Sequence, residues 1–135
     1  MLAPTRPRPA ESKHRLLYLG SDVKLITALR RALTKPDYRL VACSDRGSAI
    51  MFLESEIPYD LLLIDLEWQE MKGLKLAQLT RSLRHRKRMP IILVAATALN
   101  DQLAELARRA GVNECVTKTP DMGAVSEAIR QIIEG

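Results

Sequence analysis

Tyr59-Asp60-Leu61-Leu62-Leu63-Ile64-Asp65 sets four large apolar side chains in a row and ends on a carboxylate. A run this short and continuous reads as a strand buried on both faces, because a half-exposed strand alternates and a helix needs more length. Four similar runs lie at 15–19, 38–43, 90–95 and 114–117. Between them are helix-length segments with apolar residues three and four apart. Five strands alternating strictly with five helices predict an α/β domain with a doubly wound parallel sheet, since each parallel crossover is long enough to carry a helix.

Each helix has its own signals. The first places Val23, Ile26, Leu29 and Leu33 on one stripe, with Asp22 or Ser21 as its N-terminal cap and Pro36 as its stop. The second runs from about 45 to 54, capped by Ser44, with Pro58 beyond its end. The third starts near Gly73 and turns Leu74, Ala77, Leu79 and Leu83 inward, and the fourth does the same with Leu99, Leu103, Leu106 and Ala110 before Gly111 ends it. The fifth starts near Asp121 and uses Val125, Ala128, Ile129 and Ile132.

The 135 residues, 47% of them hydrophobic, suit one domain with a core, expected over 14–135. Residues 1–13, with Pro4, Pro7, Pro9, Arg6, Arg8 and Lys13 and little to bury, read as a flexible tail. No apolar run approaches the ~20 residues of a membrane span, and the N-terminus lacks a signal-type apolar segment, so a cytoplasmic protein is expected. Cys43 and Cys115 share no metal-ligand or redox spacing. The net charge of +5 suits a polyanion, but with 4% aromatic residues there are few rings for bases to stack on, and nucleic acid is not the expected partner. The basic run Arg81-Ser82-Leu83-Arg84-His85-Arg86-Lys87-Arg88 reads as a solvated turn complementing a helix C-terminus. No Ser-His-Asp order, HExxH or GxxxxGKS is present, which removes ordinary hydrolase and nucleotidase readings.

Sites in open parallel sheets form at the carboxyl ends of the strands. There the sequence offers Asp65 after the third strand and Lys118 after the fifth. Together with Gly73, Pro90 and the Ala110-Gly111 pair, this ordered set resembles the receiver domain of two-component response regulators, over about residue 15 to the C-terminus. The resemblance implies the flavodoxin-like strand order 2-1-3-4-5, which puts Cys43 and Cys115 on opposite edges, about 19 Å apart and beyond disulfide reach. It also implies that Asp65 is the phosphoacceptor, fed by a histidine kinase, and that Lys118 contacts the phosphoryl oxygens. Such transfer needs an in-line nucleophile and positive charge around the equatorial oxygens.

Several positions depart from the family pattern. Gly20 and Ser21 stand where receivers carry the acidic pair that holds Mg²⁺, so Mg²⁺ is expected to bind weakly or not at all. Asp22, one position on, reads as a helix cap or a substitute acid, and Glu67 as a substitute acid or a partner folded back onto Lys118. The two switch positions hold Ala95 and Cys115, and Thr119 separates Lys118 from Pro120. Trp68 is expected to pack over the pocket.

Two functions follow. One is a response regulator receiver in a phosphorelay, with Asp65 as acceptor and a weakened Mg²⁺ site, a phosphoryl acceptor at most rather than a conventional enzyme. The other is a phosphorylation-independent pseudo-receiver that works as an adaptor. A flavodoxin-like cofactor binder lacks its hydroxyl-rich loops and flanking aromatic residues. The expected partners are a histidine kinase or another signalling protein, with the output expected to come from that partner unless the chain is a fragment of a longer protein. A homodimer through the fourth helix, fifth strand and fifth helix is also expected, from the outward charges Asp101, Glu105, Arg108, Glu127, Arg130 and Glu134.

Overall fold

The computed structural model describes residues 14–33, 38–67 and 70–135. Among these, strands and helices alternate as β1 (His14–Leu19), α1 (Val23–Ala32), β2 (Tyr38–Cys43), α2 (Arg46–Glu54), β3 (Leu61–Asp65), α3 (Glu70–Ser82), β4 (Ile91–Ala95), α4 (Asp101–Arg109), β5 (Glu114–Thr117) and α5 (Gly123–Glu134), with a 3-10 turn at Arg84–Arg86. The strands form one parallel sheet in the order β2-β1-β3-β4-β5. The expected tail over 1–13, the stop at Pro36 and the position of Trp68 lie outside the described residues.

Because side chains alternate along a strand, each central strand feeds two cores. Leu17, Leu19, Leu62, Ile64 and Leu93 pack with Leu53 of α2, Leu74, Leu76 and Ala77 of α3 and Ala107 of α4. Leu16, Tyr18, Leu61, Leu63, Ile92 and Val94 pack on the other face with Leu25 and Leu29 of α1 and Val125 and Ile129 of α5. Both faces are covered, which is why the third strand reads as an unbroken apolar run. Asp65 continues the Leu61, Leu63 alternation and so falls on the α1 and α5 side.

Local chemistry corrects several expectations. Of the two cap candidates for α1, Asp22 is the one that serves, accepting from the Leu25 N–H at 3.2 Å. Val23 is 71% exposed, and Leu25 takes its place in the core. Asp45, not Ser44, caps α2, accepting from the Ser48 N–H at 2.7 Å. In α4, Leu99, Leu103 and Ala110 face the core as expected, but Leu106 is 41% exposed and the fully buried Ala107 takes its place. Helix α3 starts at Glu70 rather than near Gly73. Asp121 stands outside α5, where its carboxylate accepts from the Gly123 N–H at 2.8 Å. Gly111 ends α4 as expected, at φ 100°, a conformation a side chain opposes and where a Cβ would also meet Arg81.

The basic run after α3 is only partly solvated. Arg86 is 4% exposed and donates to the carbonyls of Leu53, Phe52, Ser55 and Ile57 at 2.6–3.3 Å, closing the C-terminal end of α2. Its guanidinium also lies 5.3 Å from the centre of the Tyr59 ring. Arg81 binds the carbonyls of Gly111 and Met89 and the Asn113 side chain at 2.7–3.1 Å. These two arginines fix the edge of the sheet opposite the strand carboxyl ends, and Arg84, Lys87 and Arg88 remain exposed. Arg86→Leu is therefore expected to cost about 3 kcal/mol by leaving buried carbonyls unpaired, against less than about 0.5 kcal/mol for Arg88→Leu. Urea unfolding of the two variants checks the difference.

Candidate functional site

At the carboxyl edge of the sheet four residues close a ring. Asp65, the last residue of β3, is 2% exposed. Its Oδ2 accepts from the Tyr18 hydroxyl at 2.7 Å and from Lys118 Nζ at 3.0 Å. Lys118 Nζ also donates to Asp22 Oδ2 at 2.7 Å. The Asp22 N–H donates to the Tyr18 hydroxyl oxygen at 3.2 Å, which completes the circuit from Tyr18 through Asp65, Lys118 and Asp22. The remaining Asp65 oxygen, Oδ1, accepts from the Glu67 N–H at 3.1 Å.

Topology supplies each member. Tyr18 and Asp65 stand on the adjacent strands β1 and β3, where Tyr18 pairs with Leu63, two residues below Asp65. Lys118 follows β5 and is held by its own N–H bond to the Ala95 carbonyl at 2.8 Å. Asp22 enters because α1 must be capped where it leaves the edge. Its Oδ1 caps the helix and its Oδ2 is left to face Lys118.

The charges are mutually adjusted. Burial opposes the Lys118 ammonium, but its bonds to Asp22 and Asp65 outweigh burial and raise its pKa. The same Lys118 bond, against a smaller effect of burial, holds the Asp22 carboxyl below its ordinary value. Burial first, then donation to Asp65 and the charge of that carboxylate, push the Tyr18 phenol well above its ordinary value. Tyr18 therefore keeps its proton and serves as a donor to Asp65.

The other predicted positions are distributed around this ring. Gly20 packs against it, and Ser21 is exposed. Glu67 does not fold onto Lys118: its Oε2 accepts from the Ala96 N–H at 2.9 Å, tying the ends of β3 and β4 together. Ala95 ends β4 buried, and Cys115 is exposed on the edge strand β5. Cys43 lies on the opposite edge strand, and both thiols are free. Thr119 has work of its own, accepting from the Ala124 N–H at 3.2 Å at the start of α5. Among the described residues no three His, Cys, Asp or Glu side chains are grouped to hold a metal ion, and no helix is long and apolar enough to cross a membrane.

Tyr18 is the site residue that sequence reasoning missed. Its signal is a hydroxyl inside Leu16-Leu17-Tyr18-Leu19 with a glycine directly after. A buried tyrosine needs a partner for its O–H, and near the end of a central strand the adjacent strand's terminal carboxylate is the acceptor at hand.

Comparison with known proteins agrees with this architecture. The family model of the response regulator receiver domain matches residues 21–130, and the chain belongs to that family. It is 31% identical over 91 residues to the chemotaxis protein CheY of Pseudomonas aeruginosa, covering 67% of this chain and 73% of that protein. To the signal transduction histidine-protein kinase BarA of Escherichia coli K12 it is 29% identical over 98 residues, 73% of this chain. The chain spans only 10% of that kinase's length. Among solved structures, a response regulator from Thermotoga maritima superposes with TM-score 0.76 at 17% identity, covering 91% of this chain and 99% of that one. The receiver domain of a sensor histidine kinase from Pseudomonas aeruginosa PAO1, solved with magnesium in its active-site cleft, gives 0.73 at 23% identity, covering 92% and 100%.

The depressed Asp22 carboxyl makes stability pH-dependent. A group whose folded pKa lies below its unfolded value stabilises fully above the unfolded value, about 3.9 for Asp, and loses that contribution as pH falls through the folded value. Acidification from about pH 6 to about pH 3 is thus expected to lower the urea midpoint. Asp22→Asn starts about 2 kcal/mol less stable and falls less over the same interval. Equal losses in the two proteins would contradict this role for Asp22.

Proposed function

We propose that this receiver domain passes signals by protein contact, without a phosphoryl cycle on Asp65. The observation that carries this reading is the engagement of both Asp65 oxygens on a carboxylate that is 2% exposed. An in-line nucleophile must present an oxygen to the incoming phosphorus. Here Oδ2 is shared by Tyr18 and Lys118, and the ring would have to open before it is free. The chemistry also needs positive charge to spare for the phosphoryl oxygens. Lys118 spends its charge on two carboxylates of its own chain.

The second reading, Asp65 as phosphoacceptor with a weakened Mg²⁺ site, is favoured by the 3.0 Å approach of Lys118 to Asp65. A cognate histidine kinase would then have to open the ring with its own docking energy. In either case the partner is another signalling protein. The outer face of α4, β5 and α5 offers it exposed Leu106 and a 520 Å³ groove lined by Cys115, Thr117, Glu127 and Gln131. Glu105 is already paired with Arg108 and Arg109 of its own helix, which favours a different protein over a second copy at this face. Free thiols at Cys43 and Cys115 suit a cytoplasmic setting.

Incubation with acetyl phosphate and MgCl₂, read by intact mass, tests the proposal. No phosphoryl gain is expected, either alone or with a candidate kinase and ATP. A one-phosphoryl gain that Asp65→Asn abolishes would establish the second reading.

A further inference from the structure

We infer that Tyr18 and Gly20 are a matched pair whose phenol takes the place of a divalent cation beside Asp65. The inference deepens the contact-only reading above and rests on the same sealed carboxylate.

Sterics tie position 20 to the phenol. A Cβ built on Gly20 would lie 2.4 Å from the Tyr18 hydroxyl oxygen, 2.6 Å from its Cζ and 2.7 Å from the Asp65 Cβ. A tyrosine at 18 that reaches Asp65 therefore requires glycine at 20. An acidic side chain at 20, the residue type a hard cation wants, cannot coexist with it. The two arrangements exclude each other within one β1 terminus. Substituting the metal positions alone would not rebuild a cation site, because the phenol occupies the space.

The lone pairs around the site are largely taken. A carboxylate offers about four acceptor positions. On Asp65, Tyr18, Lys118 and the Glu67 N–H already occupy three. Asp22 is also committed, with Oδ1 on the Leu25 N–H and Oδ2 on Lys118. Ser21 is exposed and brings only a neutral oxygen.

Charge opposes a cation as well. An ammonium already sits 2.7 Å from one carboxylate and 3.0 Å from the other. A divalent ion entering between them meets that fixed charge before it gains a ligand. The phenol, in contrast, supplies a donor to Asp65 and adds no net charge. An effector shifts a conformational equilibrium only by its differential affinity for the two states. With the phenol in the cation's place, Mg²⁺ has no such purchase on this domain, and the ring holds a single state.

Titration of the full chain with MnCl₂, followed by paramagnetic broadening of backbone amides, tests the pair. The wild type is expected to show no saturable broadening at residues 20, 66 and 118. Tyr18→Val with Gly20→Asp is expected to gain it. Saturable broadening of the wild type at these amides overturns the inference, as does a folded double variant that stays silent. If that variant does not fold, urea unfolding of Gly20→Ala, Tyr18→Val and their combination decides. The pair predicts a combined loss smaller than the sum of the single losses, and additive losses overturn it. A wild type that binds no Mn²⁺ yet gains a phosphoryl group on Asp65 refutes the contact-only reading and leaves the pair intact.

Discussion

The Lys118 ammonium, held between the carboxylates of Asp22 and Asp65, is the constraint on which the upper edge of this domain depends. Without it two acids would face each other across the ends of β1 and β3. Leaving a charge uncompensated in such a buried setting costs about 3–5 kcal/mol. With it, the cap of α1, the end of β3 and the start of the β5–α5 connection become one hydrogen-bonded unit. The Tyr18 phenol joins the two carboxylate-bearing segments from below, by donating to Asp65 and accepting from the Asp22 N–H.

This unit explains features that otherwise look unrelated. Gly20 is small because the phenol needs its space. Asp22 has a helix to cap and a lysine to bind, and its two oxygens divide the tasks. Glu67 is drawn to the Ala96 N–H and so does not compete for Lys118. At the opposite edge, Arg81 and Arg86 do comparable work with carbonyl oxygens in place of carboxylates. The sheet is thus fastened at both ends by buried or half-buried cations, Lys118 held by acids and the two arginines by peptide carbonyls.

The layers were legible from the apolar runs, because a parallel sheet covered on both faces leaves little else for Leu61 to Ile64 to be, whereas the strand order came from the receiver resemblance. Asp65 and Lys118 were legible because they are charged residues directly at strand ends. Cap assignments failed by one residue at Ser44 against Asp45, since two adjacent cap formers read alike until backbone angles choose between them. The inward stripes of α1 and α4 slipped at Val23 and Leu106, where the helix start, not hydrophobicity, sets which face turns in. Tyr18 was hidden because its ring behaves as core and only its oxygen belongs to the site. The inward turn of Arg86 was hidden by a run of cations that gave no hint which of them has carbonyls within reach.

The sealed ring requires the Tyr18 phenol and the Asp65 carboxylate to be energetically coupled, and a double-mutant cycle measures that directly. Urea unfolding of wild type, Tyr18→Phe, Asp65→Asn and the double variant isolates the pairwise energy. A hydrogen bond to a buried carboxylate predicts a coupling of about 1.5–3 kcal/mol. A coupling within about 0.3 kcal/mol of zero would mean that the two groups do not depend on each other, and would contradict the sealed ring.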